Sequence, residues 1–541
     1  MAAWWRGYWL AAGGRTSVAV VRIAIAFAIL WTLRRLGSDG YVGAPWTTPD
    51  ALYRPVGVWR LFPGQPAPAL IEVLRALAWA STLSMLIGLC ARASHAVSLL
   101  TTLALAAFDV AFAPTWSHHN SLPLLAHLAF LGARGGDAGS VDAWLRRRRG
   151  LAPCDVPGGY QWSLRLVVIA IAAPFFAAAC FKLYSGGGSL DWALSDNLRH
   201  QILARFDRIG VPRTRVAEWL LAEPARWQAA ALLNLAAQMI PIAAVGLTRR
   251  PRLRALCGLV WIIEVIGLGA VMGMWNPHWL PLAAAFVDWD RLLGHPAARP
   301  AAATAGHRAA LGFVAVFLLA DAAHLFALNQ RTRAYPLSAF PMFGEIRARR
   351  PYDRHQRYEM IGGRIEVVSA WPLHPDDQAW IDRRLPFRFL WKHRDRAELR
   401  RDLAGVLAEA QARFPGADIQ AVRLILSVYV APAYPAPARL DRVDLARIAE
   451  LDVHGRFRSA IGALASDRRT IAVGPVGLDL AGAHLIAFRD DAPAPSDLPA
   501  IRTSAGFVLA EPLAGDPVYV VLADAGTDER WLVAGRARRG Y

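Results

Sequence analysis

The apolar positions of this chain gather into nine long runs, at roughly 16–34, 69–90, 95–114, 120–133, 162–184, 226–247, 255–275, 278–290 and 308–329. Most approach the ~20 residues that an α-helix needs to cross a bilayer. The fourth and eighth are short, so tilted, broken or extended segments are expected there, and the pattern allows eight to ten spans. After Asn329 the character changes. Residues 331–541 hold no run of membrane length. They alternate short β-like stretches (364–370, 421–430 and 518–522) with one amphipathic helix near 397–414. The pattern therefore predicts a polytopic α-helical membrane bundle over 1–330 and a soluble α+β or β-rich domain over 331–541. Residues 335–343, which join the two, are too apolar for a free linker and are expected to pack on the bundle.

Composition supports the membrane assignment: 55% of the 541 residues are hydrophobic and mean hydropathy is +0.27. A net charge of +18 would point to nucleic acid in a soluble protein. Here much of the Arg lies in short loops between apolar runs, and no basic stripe carries interleaved aromatics, so topology explains the charge and nucleic acid is not an expected partner. Arg146, Arg147, Arg148 and Arg149 lie between the fourth and fifth runs, and Arg249, Arg250, Arg252 and Arg254 between the sixth and seventh. The positive-inside rule puts both loops in the cytoplasm. Arg6, Arg15 and Arg92 fit the same orientation, whereas Arg34 and Arg35 do not. Nine spans then place the N-terminus inside and the C-terminal domain outside a cell membrane. The first run ends in Trp31-Thr-Leu-Arg-Arg without a small-residue cleavage pattern, so it is expected to remain as a span. Trp9, Trp116, Trp162, Trp192 and Trp279 fall near span ends, where interfacial anchors belong. Cys90, Cys154, Cys180 and Cys257 form no CxxC pair; neither a disulfide framework nor a zinc site is indicated, and Cys90, Cys180 and Cys257 are expected to pack within the bundle.

Candidate chemistry starts from lysine usage. Of 60 Lys and Arg residues only Lys182 and Lys392 are lysines, and Lys182 ends an apolar run. An amine can lose its proton in a buried site, whereas a guanidinium does not. The alternative is a lysine that snorkels to the interface. In the expected topology other polar residues share its outer half: Asp109 near the outer end of span three, His118, His119 and Asn120 in the following turn, and Asp321 with His324 on one face of span nine. Asn234 and Gln238, four apart, share a face of span six, and Glu264 lies mid-way along span seven. Intramembrane ionisable groups usually face a bundle interior or cavity, and a neutral lysine beside a histidine suits proton abstraction. GxSxG, P-loop and HExxH motifs are absent, and adjacent His118 and His119 cannot chelate one ion from a helical face, so no metal site is expected.

Four segments resemble the vitamin K-dependent γ-carboxylase and its bacterial relatives, the horizontally transferred transmembrane (HTTM) domain proteins. Trp116-Ser-His-His-Asn-Ser-Leu-Pro-Leu resembles a Trp-x-x-His segment opening a span. Trp162-Ser-Leu-Arg-Leu, the run ending Ala-Cys-Phe-Lys182-Leu, and Asp191-Trp192 resemble the span with the catalytic lysine and its following Trp. Gly273-Met274-Trp275 resembles a Gly-Met-Phe stretch, and residues 335–343 resemble the segment after the HTTM bundle. The resemblance covers about 15–345. It implies that Lys182 is the base acting on a reduced quinone, that His119 is the essential histidine with His118 and Asn120 as neighbours, and that an acidic peptide or small molecule is the substrate. Phe181 replaces the first lysine of the animal enzyme's doublet, and the tail is much shorter than that enzyme's.

Two other classes fit the same residues. One is a proton-coupled transporter relaying through Asp109, Glu264, Asp321 and His324, which requires polar groups to continue into the cytoplasmic half. The other is a non-catalytic anchor presenting 331–541 to a partner.

Overall fold

The computed structural model describes residues 2–327 apart from 12, 39, 49, 51–52, 113–117, 153–155, 157, 186, 207–211 and 296–304. Beyond these it describes 359–370, 396–430, 441–460, 462–464, 469–472, 483–489, 496–503, 506–512, 517–524 and 529–535. The chain divides into two compact units. The first comprises Met1–Trp46, Pro55–Leu198 and Thr214–Ile346; the second comprises Thr47–Arg54, Arg199–Arg213 and Arg347–Tyr541.

The apolar runs of the first unit become helices α1 (Arg15–Ser38), α2 (Pro68–Ile87), α3 (Ala91–Val110), α4 (His118–Ala129), α5 (Gln161–Ser185), α6 (Pro224–Met239), α7 (Pro251–Met272) and α8 (Ala305–Ala327). Six candidate spans, long and apolar enough to cross a membrane, lie among the described residues: α1, α2, α3, α5, α7, and α6 with its 3-10 extension to Val245. Helix α8 has 23 residues. The two short runs take other forms. Helix α4 has 12 residues with Pro123 inside it, about 18 Å of rise. The 278–290 run forms a seven-residue 3-10 helix, Leu280–Phe286, about 14 Å long. Pro281 lies in its first turn and supplies no backbone N–H.

Side chains from loops tie one end of this unit together. The first N–H groups of a helix have no partner within it and carry partial positive charge. Asp290 supplies acceptors to Thr16 N at 3.0 Å and Ser17 N at 2.9 Å, opening α1. Asp142 does the same for Cys90 N and Ala91 N, at 2.9 and 2.8 Å, opening α3. At the same end Tyr8 donates to Val245 O at 2.7 Å, and Arg254, in the first turn of α7, donates to Phe286 O at 2.9 Å. The 3-10 run thus brings the chain back to the end at which α7 began. Arg22, 1% exposed, donates to Gly135 O (2.5 Å), Gly139 O (2.7 Å) and Leu86 O (3.3 Å). Gly88, at φ +70°, turns the chain between α2 and α3, and a Cβ there would lie 2.4 Å from Ser140 Cβ and 2.6 Å from Arg22 Nη1. Helix α3 carries Asp109 at its other end, where its carboxylate accepts from Tyr41 N at 2.8 Å.

Two expectations are corrected here. Trp9, Trp162, Trp192 and Trp279 are buried inside the protein (2%, 6%, 1% and 0% exposed) and cannot serve as bilayer-interface anchors. Their large indoles fill the interior instead: Trp162 meets Phe313 edge-on at 6.0 Å, and Trp279 meets Phe175 at 5.9 Å. Trp116 lies outside the described residues. Cys90, expected to pack, is exposed at φ +46°, because it finishes the tight turn that Gly88 begins.

The second unit carries two sheets and helix α9 (Arg396–Arg413), the amphipathic helix expected near 397–414. Its strands are β1 (Glu359–Ser369), β2 (Ile419–Val430), β3 (Asp441–Asp452), β4 (Phe457–Arg458), β5 (Ala463–Leu464), β6 (Thr470–Ala472), β7 (Ala483–Arg489), β8 (Ser496–Leu498), β9 (Ala500–Thr503), β10 (Gly506–Leu509), β11 (Pro517–Asp524) and β12 (Arg530–Gly535). One sheet runs β1-β2-β3-β12-β11-β7-β8 with β4 beside β3; the other runs β5-β6-β10-β9. The β12–β3 pair is parallel and the other pairs are antiparallel. The three β-like stretches expected from the sequence fall in β1, β2 and β11. The 335–343 segment lies outside the described residues. A row of charges crosses the first sheet: Glu366, Arg423 and Glu450 are neighbours in register, with Arg423 Nε 2.5 Å from Glu450 Oε2. Arg458 then links Glu450 at 3.2 Å to Glu529 at 2.8 Å. Arg447 also pairs with Glu529. Alternation of Arg and Glu balances this half-buried row, which reads as a structural ladder. In the same unit Arg54 pairs with the buried Asp402 of α9.

Candidate functional site

Lys182 is the centre of the polar cluster in the first unit. It lies in the last turn of α5 and is 1% exposed. Side chains on a helix tilt towards its N-terminus, so a lysine near the C-terminal end is aimed back into the bundle. Its Nζ donates to Asn234 Oδ1 at 2.5 Å and to Gln238 Oε1 at 2.9 Å. Both amides then donate to one oxygen of Glu264: Asn234 Nδ2 at 2.6 Å and Gln238 Nε2 at 2.8 Å from Oε1. These contacts replace the snorkelling alternative with a closed interior network.

The chemistry of the four groups dictates this arrangement. An ammonium only donates and a carboxylate only accepts, so each bridging amide must turn its oxygen to Lys182 and its nitrogen to Glu264. The i, i+4 spacing of Asn234 and Gln238 sets the two amides side by side on α6, able to reach α5 on one side and α7 on the other. Gln238 is 0% and Glu264 5% exposed. Two opposite charges are thereby held apart by amides instead of in direct contact. A fifth residue closes the amine: the Trp192 ring centroid lies 4.3 Å from Nζ, and tryptophan is the strongest aromatic partner for a cation. Trp192 comes from a short helix, Asp191–Leu194, after α5.

The other expected site residues have different placements. Asp109 is engaged by Tyr41 N, and a Cβ on Gly40 would lie 2.3 Å from its Oδ1, so its carboxylate organises the Tyr41–Gly43 turn. Asp321 is 4% exposed, and its Oδ1 has no hydrogen-bond partner among the described residues. Asn120 Oδ1 is likewise buried without a partner. His118 and His119 occupy the first turn of α4, and His324 lies on α8; their side chains are outside the described residues. Gly273 ends α7 at φ +64°. Nearby, a Cβ on Gly269 would lie 2.5 Å from the Trp275 ring, so this turn requires its glycines. Among the described residues no group of three or more His, Cys, Asp or Glu side chains could hold a metal ion.

Sequence reasoning did not single out a second buried pair. His95 on α3 and His127 on α4 stack with ring centroids 4.6 Å apart and planes at 14°. His95 Nε2 donates to His127 O at 2.9 Å. His127 is 0% exposed, and neither of its ring nitrogens has a hydrogen-bond partner among the described residues. The signal was available, since each is an ionisable group inside an apolar run. The missing part was their convergence from different helices. In comparisons with family models, curated proteins and solved structures, none matches the chain.

Proposed function

We propose that this is an integral membrane protein of HTTM type, in which Lys182 acts as a base on a reduced quinone-like molecule and an acidic peptide or small molecule is the second substrate. The observation that carries this reading is the Lys182–Asn234/Gln238–Glu264 network, buried away from water. A reduced quinone would supply a phenolic O–H acidic enough to yield an anion. In the conformation described the space over Nζ is filled by the Trp192 ring at 4.3 Å, so a quinol ring has to take that ring's place. Lys182 acts once the ammonium described above has released its proton: the uncharged amine takes the quinol proton, Asn234 and Gln238 accept hydrogen bonds from the restored ammonium, and Glu264 supplies the opposite charge at the far side of the amides. The surrounding helices exclude water, which would otherwise weaken each of these interactions.

We infer nine traversals, with the N-terminus in the cytoplasm and the C-terminal domain outside it. Support comes from the six candidate spans, from the 12-residue α4 and the 23-residue α8 as two more, and from the return of the 3-10 run to the end where α7 begins as the ninth. The Arg-rich loops set the orientation. With that orientation Lys182 belongs to the outer half.

The test compares quinones and lipids that copurify with the wild type and with Lys182→Ala, by mass spectrometry of solvent extracts. A quinone-class molecule held by the wild type and lost from the variant is the expected result. Equal profiles would remove the ligand pocket from that lysine. A second reading, proton-coupled transport, is favoured by His95 and His127, which place titratable groups in the inner half where a relay needs them. It requires proton flux in proteoliposomes that His127→Gln abolishes and Lys182→Arg leaves intact.

A further inference from the structure

We propose that Trp192 is a gate over Lys182: residues Gly187–Leu194 swing away together, and the flat face of an aromatic substrate takes the place vacated by the indole. The proposal rests on the reading of Lys182 as the working amine, and adds both the means of access and the substrate's shape.

Lys182 is 1% exposed, so a molecule cannot touch Nζ in the conformation described. Trp192 covers it and is itself 1% exposed, whereas residues 187–191, which carry this indole away from α5, are exposed. At its start, Gly187 N bonds Tyr184 O at 3.0 Å and Gly188 N bonds Leu183 O at 2.9 Å, which terminates α5. Both glycines have left-handed backbones, at φ +66° and +86°, and a Cβ on either would meet nothing within 4 Å. The glycines are therefore required by the turn alone, and the space beside them is open. At the far end, Gln228 Nε2 bonds Leu194 O at 2.9 Å in an exposed position. Leu190 and Leu194 are 46% and 42% exposed, leaving Trp192 and Ala193 as the segment's buried residues in the short helix. A bulky aromatic plug is thus mounted on an exposed strap with a two-glycine turn. A planar ring suits the vacated space because it restores the π face that the ammonium loses when the plug leaves.

Lysine usage makes the gate directly readable, because Lys182 and Lys392 are the chain's two lysines. The full-length protein in lipid nanodiscs is treated with a bulky N-hydroxysuccinimide ester, and modification of each lysine is followed by mass spectrometry with Lys392 as the internal reference. Trp192→Ala should raise the Lys182 rate at least about tenfold, by removing the need for local opening. Trp192→Phe, which keeps a smaller ring in the core, should give a lesser rise. Tetramethylhydroquinone should slow Lys182 modification in Trp192→Ala, whereas its saturated cyclohexane analogue should not. In the wild type, the bonded amides of Ala193, Leu194 and Ser195 should exchange with deuterium far faster than those of Ala177–Ala179 in α5. An unchanged Lys182 rate in folded Trp192→Ala, or exchange at 193–195 as slow as in α5, would overturn the gate. Equal protection by both ring compounds would overturn the aromatic substrate. None of these readouts requires turnover, so loss of the quinone reading in the copurification test is distinguishable from loss of the gate.

Discussion

Removing both ends of the Lys182–Glu264 network should cost less than the two single removals added together. Two hydrogen bonds through Asn234, of 2.5 and 2.6 Å, and the width of one amide set the charges at most about 7 Å apart. At that separation Coulomb's law with an effective dielectric constant of about 20 gives an attraction of about 2.4 kcal/mol. Lys182→Met removes the ammonium with little change in volume, but leaves Glu264 as an uncompensated charge and orphans two amide oxygens. Glu264→Gln leaves the reverse imbalance. Each single variant should lose about 3–5 kcal/mol, as buried pairs do when one partner is removed. The double variant should be more stable than the sum of the two losses predicts, by about 2 kcal/mol, because the Coulomb attraction is lost once and not twice. The assay is equilibrium unfolding by dodecyl sulfate in mixed micelles, read by far-ultraviolet circular dichroism, for wild type, both singles and the double. Losses that add to within about 0.5 kcal/mol would refute a coupled pair and reduce the cluster to independent hydrogen bonds.

The remaining predictions concern access, ligand and frame. Lys182→Ala should lose a copurifying quinone, and Trp192→Ala should expose Lys182 to acylation, each with the refuting outcome described above. Gly88→Ala should destabilise the first unit by more than about 2 kcal/mol, since it meets both a left-handed backbone and a contact with Ser140 and Arg22; an unchanged unfolding midpoint would exclude that packing. Burial raises the Asp402 carboxyl from its ordinary 3.8 to about 6, and Arg54 opposes the shift. A folded-state value above the unfolded one gives stability that is complete below about pH 4 and lost as pH rises through about 6. The wild type should therefore lose stability across that window more steeply than Asp402→Asn, measured as unfolding midpoint against pH on the full chain. Parallel profiles would show that this carboxyl does not titrate as its burial requires.

Much of the frame could be read from residue order. Apolar runs near 20 residues long became the candidate spans because backbone hydrogen bonding in an apolar medium favours helices, and that preference is local. The 397–414 helix and the strands at 364–370, 421–430 and 518–522 were legible from periodicity for the same reason. Run length was less informative at 278–290, where prolines produced a 3-10 stretch, and run ends misled for the tryptophans, which found partners inside the protein.

At the site, the sequence by itself determined that a lone lysine lies at the end of an apolar run and that Asn234 and Gln238 share a helix face. Only the tertiary structure decided that α5, α6 and α7 bring those three residues and Glu264 into one network, that Trp192 closes it, and that Asp109 serves a turn elsewhere. The physical reason is the range of the interactions. Helical periodicity is set by bonds four residues apart, whereas a buried ion pair bridged by amides depends on three helices approaching to within hydrogen-bond distance, which no spacing along one of them records.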